Sequence, residues 1–381
     1  MKKNNTTPYT TTKPRHRRRS KRNPTNFQLS SAPPTQTVGI DLGDKTSRYH
    51  VVDQAGVTQK EGSTPTTKKG MAALFAPMTR SRIALEVGTH SAWVSRLLAS
   101  FGHEVIVANA RRVRVITESN SKDDRMDAGL LARLARVDPT LLYPIRHRSE
   151  QAQQHLGMIR ARAGLVDGRT SLINTARGLA KSWGERLGSC DADQMGVKKL
   201  EGLASGEQAA LRGLLQSVEA MTKNIQEYDQ QIAEIGRTHY PETAVLQQVS
   251  GVGQLIALTF ILTLDDAKRF GRSRDVGCYL GLRPKRKESG ERQPELSITK
   301  EGDIYLRRLL VQGAHYILSA RGPDTDLKRW GLQLAGRGGK KAKKRAVVAV
   351  ARKLAILLHS LWVTGEAYEP LRNSQAAAAT A

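Results

Sequence analysis

The sequence predicts a mixed α/β domain, a coiled-coil linker and a mainly α C-terminal domain. Three observations carry that reading. Strand-like and helix-like stretches alternate from Thr37 to about residue 148, a heptad series runs from Leu211 to Ile235, and helical signals dominate from Pro241 to about Trp362. Periodicity separates the cases, because side chains on a strand repeat every two residues and those on a helix about every 3.6.

The first stretch, TVGIDLGDKTSRYHVVDQAG, holds two apolar runs, and GVTQKEG follows a turn at Asp53, Gln54, Ala55 and Gly56. This pattern predicts a three-stranded antiparallel meander. Next come a helical stretch around Gly70 to Pro77, a strand SRIALEV ending near Glu86, a helix from His90 to Phe101 and a short strand HEVIVAN. The order β-β-β-α-β-α-β, then α, is of the ribonuclease-H type. In such a sheet the first and fourth strands are neighbours, which brings Asp41 and Glu86 together.

In the linker, Leu211, Leu214, Val218, Met221, Ile225, Tyr228, Ile232 and Ile235 alternate steps of three and four, a coiled-coil signature. A looser series, Leu156, Ile159, Ala163 and Val166, precedes it. The segment is therefore expected to be an antiparallel hairpin or an oligomerising arm, with two helices packed on the domain's own core as the plainer alternative. Gly164, Gly168, Gly178, Gly202 and Gly206 argue against one unbroken helix. The last helical stretch, AVVAVARKLAILLHSLW, is apolar around most of its circumference and reads as a core element. The expected boundaries are a disordered basic arm at 1–36, the α/β domain at 37–148, the coiled-coil segment at 149–238, the C-terminal domain at 239–365 and a disordered tail at 366–381.

Composition narrows the partners. The net charge is +26 and the pI about 10.4, a surplus that points to a polyanion, with nucleic acid foremost. Residues 1–30 carry nine Lys/Arg and no acid, so +17 remains on the rest of the chain. Cys190 and Cys278 give neither a disulfide framework nor a CxxC metal site, which fits a reducing cytoplasm. The apolar run around Leu255 to Leu264, broken only by Thr259 and Thr263, falls short of the roughly 20 residues of a spanning helix. The N-terminus lacks the apolar core of a secretory signal.

Three constellations carry chemistry. The first is acidic: Asp41, Glu86 and the acids Asp123, Asp124 and Asp127 of SKDDRMDAGLLARL. Asp124 and Asp127 at i, i+3 share one helix face. Acids gathered in one place repel unless a divalent metal neutralises them, and two Mg²⁺ ions could serve phosphodiester chemistry. Singly, Asp41 could be a turn residue and Asp124 a helix cap. GIDLG also resembles the first phosphate loop of actin-like and Hsp70-like ATPases, but the second copy of that fold is missing here. The second constellation is VSGVGQLIALTFI, where Gly251 and Gly253 flank a turn between helices of helix-hairpin-helix type; its amides could hold a phosphate, and a mere helix break is the plainer reading. The third runs from 280 to 318, a loop rich in Lys285, Arg286, Lys287 and Lys300, followed by a helix beginning near Asp303 with Arg307 and Arg308. These cations, with Lys340 and Lys341 of GRGGKKAKKR, are candidate phosphate contacts. Ser289 lies on that loop; with no histidine beside it, a solvated loop serine is the default unless a metal cluster activates it.

Together these stretches resemble the insertion-sequence transposases that have an N-terminal DEDD RuvC-like domain and a C-terminal serine-bearing domain, including the bridge-RNA-guided recombinases. The resemblance rests on GIDLGDK, ALEVGTHSAWVSRLLASFGHEVIVANARRVR, SKDDRMDAGLLARLA, the stretch from SGVGQLIALTFI to LGLRPKRKESG, and SITKEGDIYLRRLLVQGA. It spans about Val38 to Trp362. It implies that Asp41, Glu86, Asp124 and Asp127 are the metal-binding catalytic acids, and that Ser289 attacks DNA to form a phosphoserine link. It further implies multimer assembly through the coiled coil, and a structured RNA pairing with donor and target DNA. Lys122-Asp123-Asp124 stands where the family has Lys-Thr-Asp, and Ser297, just before ITKEG, is the competing hydroxyl.

Overall fold

A computed structural model describes residues 34–109, 113, 124–285, 296–339 and 341–372, with the side chains of 124–126 outside the described set. The chain divides into two compact units, one up to His147 and one from Arg148.

The first unit is built on a five-stranded sheet. Its strands are β1 (Gln36–Asp41), β2 (Thr46–Asp53), β3 (Thr58–Pro65), β4 (Arg82–Glu86) and β5 (Glu104–Ala108), in the spatial order β3-β2-β1-β4-β5. The meander β1-β2-β3 is antiparallel, with Val38 opposite Val51, whereas β4 runs parallel to both β1 and β5. Helices α1 (Lys68–Phe75), α2 (Ser91–Ser100) and α3 (Asp124–Val137) complete the predicted order.

The period of two along the strands sorts the core into two layers. Val38, Ile40, Ile83 and Leu85 pack with Met71 and Phe75 of α1 and Val94 and Leu98 of α2. Ala84, Ile106 and Ala108 pack with Leu131 and Ala135 of α3. Small residues on this second face let α3 lie close to the sheet. This mixed α/β unit is consistent with a ribonuclease-H-like DEDD domain.

The second unit is helical among its described residues. It opens with two long helices, α4 (Glu150–Ser182) and α5 (Ser205–His239). They are antiparallel partners: Arg162 Nε bonds Asp229 Oδ1 at 2.6 Å, and seven residues further along α4, Arg169 Nη1 bonds Thr222 Oγ1 at 3.1 Å. Of the predicted heptad positions Leu211, Val218, Ile225 and Ile232 are buried and Leu214, Met221, Tyr228 and Ile235 half-buried, while Leu215 and Thr222, outside that series, are buried as well. The segment is two helices and not one unbroken helix, as its glycines suggest, but Gly164, Gly168 and Gly178 do not make the break: all three lie inside the single 33-residue α4. Each costs about 1 kcal/mol of helix propensity relative to alanine, which packing along the seam outweighs. The chain reverses between α4 and α5, where Gly202 adopts φ +92°.

The hairpin tip has its own core, including Ile173, Leu187, Met195, Leu200 and Leu215. At its base, Leu156, Ile159 and Ile232 join the main core of the unit. The remaining helices are α6 (Thr243–Gln247), α7 (Gln254–Leu264), α8 (Arg274–Tyr279), α9 (Ile304–Leu318), α10 (Asp326–Gly336) and α11 (Ala342–Thr364). By length and composition α11 could cross a membrane, but half of its most apolar stretch is buried inside the unit, and Val350, Leu354 and Leu358 are fully buried core residues. It is the core element that its apolar circumference predicts.

Candidate active site

Asp41 closes β1 and Glu86 closes β4. The two strands are parallel neighbours with Ile40 level with Leu85, so both acids emerge at the same carboxyl end of the sheet. Asp127 arrives from α3, and Gly39 determines how closely. A Cβ on Gly39 would lie 1.9 Å from the Ala128 carbonyl oxygen and 2.5 Å from the Ala132 nitrogen, so only glycine lets the backbone of α3 cross β1 at this height. Arg82 fixes the far end of α3: its Nη1 donates to the Ala135 carbonyl at 3.2 Å while its Nε donates to Glu104 Oε1 at 2.8 Å.

The resulting electrostatics centre on Glu86. Burial pushes its carboxyl above the ordinary range, and the neighbouring charges of Asp41 and Asp127 push it further. Its Oε1 is buried with no hydrogen-bond partner. Three of the four predicted acids thus act on one another in the structure. Asp124 begins α3 one turn before Asp127, and its side chain lies outside the described set. Among the described residues no three His, Cys, Asp or Glu side chains are close enough to enclose an ion. The cluster nevertheless suits a hard cation: its donors are all carboxylate oxygens, and one is buried and unpartnered.

The predicted nucleic-acid residues fall into different surroundings. Ser289, Arg286 and Lys287 lie in 286–295, and Lys340 also lies outside the described residues. The stems of that segment are described. Lys285 N bonds the Ser297 carbonyl at 2.9 Å, Thr299 N bonds the Arg283 carbonyl at 2.9 Å, and Pro284 and Ile298 form an antiparallel bridge. Lys285, Lys300, Arg308 and Lys341 are exposed, whereas Arg307 is buried with only 8% of its surface accessible. Arg308 pairs with Asp167 at 3.6 Å and lies over the Tyr305 ring.

In the turn between α6 and α7, Gly251 has φ +87°, and a Cβ there would lie 3.0 Å from the Gly313 carbonyl of α9. This glycine serves packing as well as the turn. Gly253 is exposed and precedes α7.

Sequence reasoning missed Gly39 and Arg82. A glycine inside the apolar strand TVGID was the available signal for the first, since strand glycines mark close backbone approach. Nothing in the sequence distinguishes Arg82 from the many exposed arginines.

Comparison with known proteins agrees with this geometry. A family model described as Transposase, of the DEDD IS110 type, matches residues 38–183. Another, described as Transposase IS116/IS110/IS902 family, matches residues 243–328. Domains of the DEDD nuclease-like type typically use divalent metal ions. The chain is 28% identical over 282 residues to the transposase for insertion sequence element IS1111A of Coxiella burnetii, covering 72% of this chain and 75% of that protein. It is 27% identical over 296 residues to the transposase for insertion sequence element IS1328 of Yersinia enterocolitica, covering 74% and 84% respectively. With both halves matched in order, and with the DEDD domain on the α/β unit and the hairpin's first helix, the chain belongs to the IS110/IS116 family of insertion-sequence transposases.

Proposed function

We propose that this transposase cuts and rejoins DNA through a covalent serine link, with Asp41, Glu86, Asp124 and Asp127 holding two Mg²⁺ ions. The observation that carries the reading is Glu86, whose carboxyl is raised by burial and by two further acids and keeps one oxygen unpartnered. Such a cluster is unfavourable by itself and is relieved by a cation. When bound, Mg²⁺ supplies neutralisation of the cluster and stabilises charge on the attacking and leaving oxygens.

In the proposed step Ser289 Oγ bonds to phosphorus as the bond from phosphorus to the 3′ oxygen breaks. The serine proton leaves, the 3′ oxygen departs as a hydroxyl, and the 5′ phosphate stays on the protein. Attack by the 3′ hydroxyl of a new partner strand reverses these events and frees the serine. Lys285, Arg286, Lys287, Lys300, Arg308, Lys340 and Lys341 contact phosphates, and the amides of the Gly251–Gly253 turn add a helix-hairpin-helix contact. A structured guide RNA selects donor and target DNA. Copies assemble as a dimer or tetramer through the coiled-coil segment. The reaction takes place in the bacterial cytoplasm.

The test is Mg²⁺-dependent cleavage of element DNA with its flanking non-coding RNA, followed by a search for a protein–DNA adduct. Ser289→Ala is expected to lose both cleavage and adduct, and Asp41→Asn to lose cleavage while still binding DNA. Undiminished cleavage by Ser289→Ala, with no adduct in the unaltered protein, would leave water as the nucleophile. Equal activity without the RNA would remove the guide.

A further inference from the structure

The proposed phosphate contacts all lie in the second unit, although the acids lie in the first. We infer that the sheet edge carrying the acids has a phosphate-binding rim of its own, made by Lys45, Lys68, Lys69 and His90, which holds the DNA strand beside the cut; this rests on the reading of Asp41, Glu86 and Asp127 as the cleavage site.

Topology places the rim. β1 and β4 are parallel, and β3 is antiparallel to β2 as β2 is to β1, so β1, β3 and β4 all end at one edge of the sheet. The segments leaving this edge are 42–45 after Asp41, 66–67 ahead of α1 and 87–90 after Glu86. Lys45, Lys68 and Lys69 are exposed, and 27% of the His90 side chain is accessible. Lys45 lies four residues beyond Asp41 and His90 four beyond Glu86. Four residues reach at most about 14 Å, the rise of about four nucleotides of one strand.

Hydrogen bonds tie these segments into one surface. Thr66 N donates to the Lys45 carbonyl at 2.8 Å, and Thr66 Oγ1 donates to the Gly43 carbonyl at 2.9 Å. A Cβ on Gly43 would lie 2.3 Å from the Thr46 carbonyl oxygen, so the turn that presents Lys45 needs glycine. On the far side, Ser91 Oγ accepts from Gly88 N at 3.0 Å and donates to the Gly88 carbonyl at 2.7 Å, which fixes 87–90. His90 Nε2 then stands 3.6 Å from Asp44 Oδ1, across the gap between the first and third segments.

Two features suit this surface to an anion. Lys68 and Lys69 open α1, whose first turn holds no acid. The positive end of a helix favours acids by about 0.3–1 kcal/mol and disfavours cations, so two lysines there build a positive field that a phosphate relieves. His90 is oriented by Trp93. An indole N–H can only donate, and it donates to His90 Nδ1 at 3.1 Å, so the neutral ring carries its proton on Nε2, the nitrogen near Asp44. At 3.6 Å that donor is not bonded to Asp44, whose side chain is 92% exposed, and a phosphate oxygen can take the carboxylate's place.

The test measures DNA affinity across a salt series in an Asp41→Asn background, so that no strand is cut. It compares the intact rim with Lys45→Gln, Lys68→Gln and Lys69→Gln combined, and with His90→Ala. Neutral methylphosphonates placed singly along the strand report which phosphates are held. The triple variant is expected to lower the salt slope by about two, since each single-strand phosphate contact contributes about 0.7. Each lysine substitution alone is expected to lower it by about 0.7, which keeps the measurement available if the triple variant does not fold. A methylphosphonate within about four nucleotides of the cut should weaken binding to the intact rim and have no further effect on the triple variant or, at one position, on His90→Ala. An unchanged slope in the lysine variants, or penalties confined to phosphates farther from the cut, would overturn the rim. So would lost affinity for the flanking RNA with DNA affinity intact, which would make it an RNA surface. Cleavage by Asp41→Asn at the unaltered rate overturns the reading of the acids by itself. An inactive Asp41→Asn beside an unchanged salt slope in the lysine variants overturns only the rim.

Discussion

Replacing Gly39 by alanine tests whether the approach of α3 to β1 assembles the acid site. The added Cβ would stand 1.9 Å from the Ala128 carbonyl oxygen, and ordinary contact begins near 3.4 Å, so the helix backbone must retreat by about 1.5 Å. The obstacle is backbone on both sides, so no side-chain rotation relieves it. Ala128 follows Asp127 directly, and the retreat therefore carries that carboxyl away from Glu86. Overpacking of this kind costs about 1–3 kcal/mol of stability. The cost to chemistry is larger, since a shift of this size in a catalytic group lowers the rate on the order of 100-fold. The assay is Mg²⁺-dependent cleavage over a metal titration, read beside a thermal melt so that the rate is expressed per folded molecule. A Gly39→Ala protein that folds and cleaves with the unaltered metal dependence would refute the argument that α3 must touch β1 to place Asp127.

Three further outcomes follow from the same structure. Arg82→Met leaves Glu104, whose side chain is only 8% exposed, without its cation; the expected loss is about 3–5 kcal/mol in urea unfolding, and a loss under about 1 kcal/mol would contradict it. Glu86→Gln removes mutual repulsion from the cluster, so the metal-free protein should gain about 0.5–2 kcal/mol while cleavage is lost; a destabilised variant would show that Asp41 and Asp127 do not press on Glu86. His359 donates from Nε2 to the Ala267 carbonyl and accepts from Ser273 at Nδ1, and burial holds its pKa below the usual imidazole range, as burial and His239 do for His155. The unfolded chain therefore takes up these protons first. The contribution to stability is complete above about pH 6.5 and falls as the pH drops below it. Melting between pH 7.5 and 5.5 should show the decline, and His359→Gln should flatten it; an unchanged slope in that variant would exclude His359 as a source.

The sheet was legible because its signals are local and repeated. Alternation marked each strand, the turn at Asp53 to Gly56 marked the meander, and the strand order alone placed Asp41 beside Glu86. The heptad from Leu211 to Ile235 likewise marked a helix with one buried seam. Its partner was less legible, because α4 has a looser series and carries Gly164, Gly168 and Gly178. Helix propensity is a local quantity of about 1 kcal/mol per glycine, and the seam that overrides it is a long-range contact that no window of sequence contains. Gly39 was hidden for a related reason: its function appears only when a helix some 90 residues later is laid across it.

The cations show where charge stops being informative. Arg307 and Arg308 are adjacent, carry the same side chain and share the motif LRRLL, yet one is closed inside the protein on two backbone carbonyls and the other is open to solvent. Helical spacing accounts for the difference, since neighbouring residues on a helix point about 100° apart and only one of the two can face the stems. The same spacing applies to every basic run in the chain. A surplus of +26 predicts that nucleic acid binds, but the assignment of individual phosphate contacts has to follow the helix face. Substituting Arg308 by glutamine should therefore weaken DNA binding and lower the salt slope by about one, whereas the same change at the buried Arg307 should leave the salt slope unchanged. If both variants lost affinity equally, helix face would not separate their roles.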